Sequence, residues 1–277
     1  MIKIFIASKD RACQLDLLLR SIELNAPGMF EPTVFYTHSN GEYGLGYLKL
    51  IDKYKDKCNF ILENNNAKDT LYDFFRTAND IVGLFTDDCV FYRKANFAEE
   101  DIRWFLGKKS VWSFNLRLGL NINVVDYVRG KSCPHPVFIT CGDKFITWDY
   151  RFEDKFNSYF AFPTPFDGCF YNSGDLLSLA DGGHFDRIIF WERLICHNGR
   201  QQQIDKNIIV APVQSNVFAQ QINSSHEYGH YTNNTFNISL DTLNKEFLND
   251  KIIDINSMDF SNVNSCHMEI PFNFKEV

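Results

Sequence analysis

The chain has no cationic excess, no long apolar run and none of the short signatures that mark the commonest nucleotide and nucleophile sites. Lys and Arg number 28 against 35 Asp and Glu, a net charge of −7 over 277 residues. That balance argues against a broad basic surface, so nucleic acid is not an expected partner. No 20-residue apolar stretch occurs, and the opening MIKIFIASKDR reaches charged residues within a few positions. It is too short for a signal-peptide core or a membrane span, so the cytoplasm is the expected compartment. The eight cysteines form no CxxC pair and have no structural-zinc spacing with histidine, which fits buried thiols in a reducing environment. GxGxxG, GxxxxGK[ST] and GxSxG are all missing. Rossmann dinucleotide binding, P-loop chemistry and a hydrolase nucleophile elbow therefore lose support.

What the chain does have is aromatic bulk, with 27 Phe and 12 Tyr, enough large apolar area for a sizeable core. Short β-branched and aromatic runs alternate with helical patterns along the first hundred residues. Strands are expected at 2–7, 33–36, 59–63 and 80–86, with helices at 11–24, 46–54 and 68–78 between them. Such alternation implies a parallel sheet covered on both faces, with ligands at the carboxyl ends of its strands. Beyond about residue 108 the pattern loosens. Strands are expected at 110–117, 138–145, 169–172 and 207–212, and helices at 173–179 and 186–197. The reading is one domain over 1–230, with a first half at 1–108 and a second at 109–230, followed by an extension at 231–277.

Five clusters could carry chemistry. Thr86-Asp87-Asp88-Cys89 follows an apolar strand, and adjacent carboxylates repel unless a cation or hydrogen bonds offset them. A divalent metal bridging to phosphate oxygens would do so; a solvated turn or a helix cap is the plainer reading. Ser8-Lys9-Asp10-Arg11 stands between the first strand and its helix, where backbone N–H groups favour anions, although Arg11 could equally be a surface charge. Asp167-Gly168 could offer a carboxylate to sugar hydroxyls, or be an ordinary turn. Glu192, beside Trp191, would be a partly desolvated base, or a surface residue next to a core ring. His226, in the polar HEYGH stretch, could complete a metal shell, or be a bystander.

In their order, these pieces resemble nucleotide-diphospho-sugar glycosyltransferases of the GT-A fold, in particular bacterial family-2-like members. The resemblance covers roughly residues 1–230: a first strand ending in SKDR, a leucine-rich helix, an apolar strand ending in TDD, then Gly168 and, 24 residues on, Glu192. The stretches SFNLRLGLN (113–121) and APVQSNVFAQ (211–220) are also similar to bacterial members. The resemblance implies an α/β fold with a Rossmann-type, mostly parallel central sheet flanked by helices and an irregular acceptor-side half. It implies inverting, metal-assisted transfer of a sugar to an acceptor hydroxyl in surface polysaccharide or glycan synthesis. The cofactor implied is Mn²⁺ or Mg²⁺, with the nucleotide sugar as donor and a saccharide or lipid-linked acceptor that brings peripheral membrane contact. Ser8, Arg11 and Asp87 would sit by the nucleotide, Asp88 and His226 would take the metal, and Asp167 would face a sugar. Glu192 would be the general base. Cys89 stands where the strict motif has a third acid, and Arg193 where it has a second. A degenerate nucleotide- or sugar-binding scaffold and a sugar nucleotidyltransferase are the alternatives.

Overall fold

A computed structural model describes residues 1–63, 67–78, 80–126, 130–152, 158–180, 191, 194–195, 205–222 and 238–277. The first half is β1 (Ile2–Lys9), α1 (Ala12–Asn25), β2 (Phe30–Thr37), α2 (Gly41–Tyr54), β3 (Asn59–Leu62), α3 (Ala67–Arg76) and β4 (Ile81–Thr86). Then come β5 (Cys89–Phe91), α4 (Glu99–Leu106), β6 (Val111–Asn115), β7 (Val124–Asp126), β8 (Lys131–Ser132), β9 (Ile139–Cys141) and β10 (Phe145–Asp149). The remainder is β11 (Cys169–Asn172), α5 (Ser173–Ala180), β12 (Ile208–Pro212), β13 (Val217–Gln220), the helix Leu240–Leu248, β14 (Lys251–Ile253), β15 (His267–Met268) and β16 (Phe274–Glu276).

Nine strands form the central sheet in the order β3-β2-β1-β4-β11-β6-β12-β10-β9. From β3 to β4 every pair is parallel. β11 then enters antiparallel between β4 and β6, β12 runs parallel to β6, and β10 and β9 follow antiparallel. The α/β fold class expected from the sequence is the one observed. β1 shows why its run is apolar throughout. Ile4 and Ile6 join the core beneath α1, with Leu15, Leu18 and Ile22, whereas Phe5 points to the opposite core with Phe35, Phe74 and Trp191. A strand covered on both faces has no polar side to display. The chain leaves β1 toward β2 on one side and returns as β4 on the other, so the carboxyl ends of β1 and β4 flank a topological switch point.

Two expected elements differ. α2 begins at Gly41 rather than at residue 46, because the Asn40 side chain accepts a 3.0 Å hydrogen bond from Tyr43 N and caps the helix. The expected strand at 138–145 is a hairpin, β9 and β10, turning at Gly142 with φ +63°, backbone that glycine adopts without steric cost. The expected helix at 186–197 lies outside the described residues except at Trp191, Leu194 and Ile195. Among the described residues no helix is long and apolar enough to cross a membrane, and the seven described cysteines are free.

Residues 238–277, beyond the half-domain boundaries read from the sequence, pack into the same core. The helix Leu240–Leu248 lies on α1 and α2 and buries Leu243 and Phe247. Tyr43 Oη donates to Asp241 at 2.6 Å, and Lys49 Nζ to the Phe247 carbonyl at 2.6 Å. β15 pairs with β13, which pairs with β5, and Gln220 exchanges two hydrogen bonds with the Ile270 backbone at 2.6 and 2.9 Å. Phe247→Ala is accordingly expected to cost about 3–5 kcal/mol, as for other large aromatic truncations in a core. Urea unfolding would measure it, and a loss below about 1 kcal/mol would show a loosely docked C-terminal segment.

Candidate functional site

The site begins where β1 ends. Asp10 takes a left-handed conformation, φ +60°, unusual for a residue with a side chain, and its Oδ1 accepts from Ser39 N at 2.7 Å. This bend carries the chain straight into α1 and leaves Ser8 and Arg11 facing the end of β4. Tyr47 of α2 supports both, with its Oη 2.6 Å from Ser8 Oγ and accepting from Arg11 N at 3.2 Å.

Asp87 is buried among these groups. Its Oδ2 accepts from Ser8 Oγ at 2.9 Å and Lys9 N at 3.2 Å, and its Oδ1 from Arg11 Nη1 at 3.2 Å. The same Arg11 nitrogen lies 3.3 Å from Asp88 Oδ2, and Nη2 donates to the Ile222 carbonyl at 3.1 Å. Burial pushes the Asp87 carboxyl up to about 6, with Arg11 holding it back and Asp88 adding to the rise. Burial works against the Arg11 charge, but Asp87 and then Asp88 outweigh it and raise its pKa. The Arg11 side chain is 5% exposed and that of Asp88 19%, so Asp88 is the member of the trio that can meet a ligand.

A second group joins through Thr86. Its Oγ1 is 2.7 Å from Asp88 Oδ1 and 3.2 Å from Asp167 Oδ1, and with one proton it donates to one of them at a time. Asp167 Oδ2 accepts from Arg117 Nη1 at 2.7 Å and lies 3.2 Å from His267 Nε2. On its other side His267 places Nδ1 3.1 Å from Tyr159 Oη, whose own proton goes to the Val125 carbonyl at 2.6 Å. Burial would raise the Asp167 carboxyl, but the His267 hydrogen bond and the Arg117 charge outweigh it and hold it well below the usual carboxylate range. Asp167 stands ionised, an acceptor only. Gly168 has φ +81°, and a Cβ there would come within 3.1 Å of Val217. Its N–H and carbonyl tie this turn to Leu84 and Leu116, each at 2.9 Å.

Ser8, Arg11, Asp87 and Asp88 thus come together, and Asp167 joins them through Thr86. Glu192 and His226 lie outside the described residues. Trp191, next to Glu192, is fully buried against Phe75 and Phe166 at ring-centroid distances of 4.8 and 5.0 Å. Cys89 is a buried thiol, which burial pushes well above its ordinary pKa, and it opens β5 instead of extending the acidic cluster. Arg117, Tyr159 and His267 were not foreseen. Arg117 lies within the SFNLRLGLN stretch, whose arginine was the available signal, while His267 has no local pattern and is placed by the β13–β15 pairing. Among the described residues no three His, Cys, Asp or Glu side chains converge as a metal-holding group. Gln14 of α1 is buried, and its Nε2 has no hydrogen-bond partner among the described residues. It lines, with Asp87, Asp88 and Gln220, a cavity of about 10 Å³, room for about one water.

No protein-family model and no curated protein sequence matches the chain. Solved structures are similar to it at low identity. S. aureus TarS has 14% identity and a TM-score of 0.48, over 79% of this chain and 36% of that one. The mannosyltransferase PcManGT from Pyrobaculum calidifontis, in complex with GDP-Man and Mn²⁺, has 12% identity and a TM-score of 0.43, over 76% and 54%. A cytidylyltransferase from Leptospira borgpetersenii has 10% identity and a TM-score of 0.41, over 74% of each chain. The chain spans about a third of the length of TarS and about half that of PcManGT.

Asp167 and Asp87 give stability opposite pH dependences. Asp167 binds its proton more weakly folded than unfolded, so its contribution is complete above about pH 4 and lost as pH falls below that. Asp87, at about 6 in the fold, holds a proton that the unfolded chain releases, so its contribution declines as pH rises from about 4 to about 6. Urea midpoints measured from about pH 3 to about pH 7 should show a shallower acid limb in Asp167→Asn, and no decline between about 4 and 6 in Asp87→Asn. Unchanged slopes in both variants would contradict the assignment.

Proposed function

We propose that the chain is a glycosyltransferase that moves a sugar from a nucleotide-diphospho-sugar donor to an acceptor hydroxyl. The observation that carries this reading is the meeting of Ser8, Arg11, Asp87 and Asp88 at the topological switch point between β1 and β4. Open α/β sheets bind ligands in that crevice, and this one combines a buried arginine that holds the acid pair with one partly exposed carboxylate, Asp88, that can face a ligand. Asp87, being buried, acts by holding Ser8 and Arg11 toward the nucleotide. Asp167 stays ionised beside Arg117 and His267 and accepts hydrogen bonds from sugar hydroxyls.

A divalent cation fits this arrangement in one way only. Asp88 supplies one partly exposed carboxylate, and Mg²⁺ or Mn²⁺ is commonly held by one or two carboxylates together with substrate phosphates. Asp88 would hold the ion, with His226 a further candidate ligand from the sequence. Such an ion, when bound, supplies positive charge to the departing diphosphate. Glu192, assigned from the sequence, takes the proton of the acceptor hydroxyl. The freed oxygen attacks the anomeric carbon from the face opposite the diphosphate, so the configuration inverts. Assembly of a surface polysaccharide or glycan in the cytoplasm, on a saccharide or lipid-linked acceptor, is the setting that matches this chemistry.

Two measurements test the proposal. A thermal-shift panel of nucleoside diphosphates and nucleotide sugars, with and without Mn²⁺, should stabilise the fold for one base, because a ligand of the native state raises stability by mass action. No shift with any nucleotide would favour a sugar-binding scaffold, and formation of a nucleotide sugar from sugar phosphate and nucleoside triphosphate would favour a nucleotidyltransferase. Once the donor is known, Glu192→Gln should lose about two to four orders of magnitude in turnover, the usual worth of a positioned base. Asp88→Ala should lose comparably, and near-normal turnover in either variant removes that residue from its role.

A further inference from the structure

His267 lies 100 positions from Asp167, yet the chain on either side of it is fixed almost residue by residue. The Val263 carbonyl accepts from Asn121 Nδ2 at 2.8 Å, and the Asn264 carbonyl from Asn123 N and Val124 N at 2.9 and 3.1 Å. The Cys266 carbonyl accepts from Ala219 N at 2.8 Å, and the Met268 carbonyl from Gln221 N at 2.9 Å. The ring is held as well. Its Nδ1 is 3.1 Å from Tyr159 Oη, and the Tyr159 ring meets it edge-on at a centroid distance of 5.4 Å. Nε2 is thereby aimed at Asp167, 3.2 Å from Oδ2.

The two oxygens of Asp167 are unequally served. Oδ2 has two partners, Arg117 Nη1 at 2.7 Å and His267 Nε2. Oδ1 has one among the described residues, Thr86 Oγ1 at 3.2 Å, and that hydroxyl has a nearer acceptor in Asp88 Oδ1 at 2.7 Å. Hydroxyl hydrogen bonds centre at about 2.7–2.8 Å, so the Thr86 proton is better placed on Asp88. A carboxylate oxygen has room for about two hydrogen bonds, which leaves Asp167 Oδ1 with spare capacity. The Asp167 side chain is 17% exposed and that of Arg117 3%, so an outside group can reach the acid but not the guanidinium.

We infer that His267 is a positioning residue for the sugar: with Arg117 it pins Asp167 by Oδ2 and keeps Oδ1 turned toward a substrate hydroxyl. This rests on the glycosyltransferase reading and gives it an atom. Arg117 comes from the loop after β6 and His267 from β15, so the anchors of Oδ2 have independent origins. Two such anchors restrict the twist of the carboxylate that one alone would allow, and a binding group acts only when its supporting contacts hold it in geometry. The hydroxyl has two possible sources, the sugar of the donor or a saccharide acceptor. In either case residues 263–268 belong to the sugar side of the crevice and not to an appendage.

The test compares the full chain with His267→Phe, which keeps a ring without a donor, and His267→Gln, which returns an N–H at about the same reach. One arm measures, by calorimetry, the affinity of UDP-glucose, UDP-N-acetylglucosamine and GDP-mannose relative to UDP and GDP. The other follows glucose, galactose, mannose and N-acetylglucosamine by saturation-transfer NMR in the presence of UDP or GDP. His267→Phe is expected to lose about tenfold or more in one arm, the scale of one hydrogen bond to a charged group. His267→Gln should recover part of that loss, and UDP or GDP should bind all three proteins alike. Loss in the first arm places the hydroxyl on the donor sugar, and loss in the second on the acceptor. Wild-type behaviour of His267→Phe in both arms overturns the inference and leaves the glycosyltransferase reading standing. An equal loss for the nucleoside diphosphate overturns it too, because the disturbance then reaches beyond the sugar. Failure of the wild type to bind any nucleotide or saccharide overturns the functional reading and the inference with it. Should His267→Phe not fold, His267→Asn takes its place, since its amide is too short to reach Asp167 while that of His267→Gln is not.

Discussion

The packing of a buried aspartate, Asp87, and its partly exposed neighbour, Asp88, against one buried arginine is the constraint around which this molecule is arranged. Neighbouring carboxylates taken out of water repel each other and lose hydration, and removing the partner of a buried ion is severely destabilising. Here the compensation is drawn from every element within reach. β1 contributes the Ser8 hydroxyl and the Lys9 N–H, α1 is led in by Arg11, α2 sends Tyr47 to hold both, and the loop after β13 gives Arg11 the Ile222 carbonyl. The strained backbone at Asp10 belongs to the same arrangement, because it turns the chain so that Ser8 and Arg11 approach the same carboxylate. Strain of this kind persists only where the surroundings over-determine it.

The second ionic group repeats the device with the charges differently shared. Asp167 is one carboxylate between Arg117 and His267, whereas Arg11 is one cation between two carboxylates. Thr86, the last residue of β4, touches an acid of each group and gives them a common hydrogen bond. Three aspartates thus meet two arginines and a histidine.

How much of this could be read from the sequence follows from the range of the interactions. β1 to β4 were legible because a strand buried on both faces leaves a continuous apolar run, and the acids after β4 stood out because adjacent carboxylates repel unless something offsets them. Asp10 and Asn40 acted locally, one as a bend and the other as a cap, yet only the cap has a recognisable side-chain pattern, and it moved the start of α2 by several residues. The strand expected at 138–145 ran through the turn at Gly142 and ended on the first residue of β10, which continues to Asp149. Arg117 and His267 depend on pairings across the fold: His267 lies 100 positions from Asp167, and nothing near it in the chain announces that contact.

The packing of the C-terminal residues has a consequence for the order in which the molecule is made. α1 is synthesised among the first elements, but its outer side is covered by the helix Leu240–Leu248 and by β14, and Arg20 on α1 donates to the Ile253 carbonyl 233 positions away. Contacts of such separation must overcome a large loop-closure entropy and form late. On the ribosome, therefore, the half of the sheet that carries Arg11 and the acid pair emerges early but stays partly uncovered until nearly the whole described chain has been translated. During that interval the apolar flank of α1 lacks the cover that the C-terminal residues later give it.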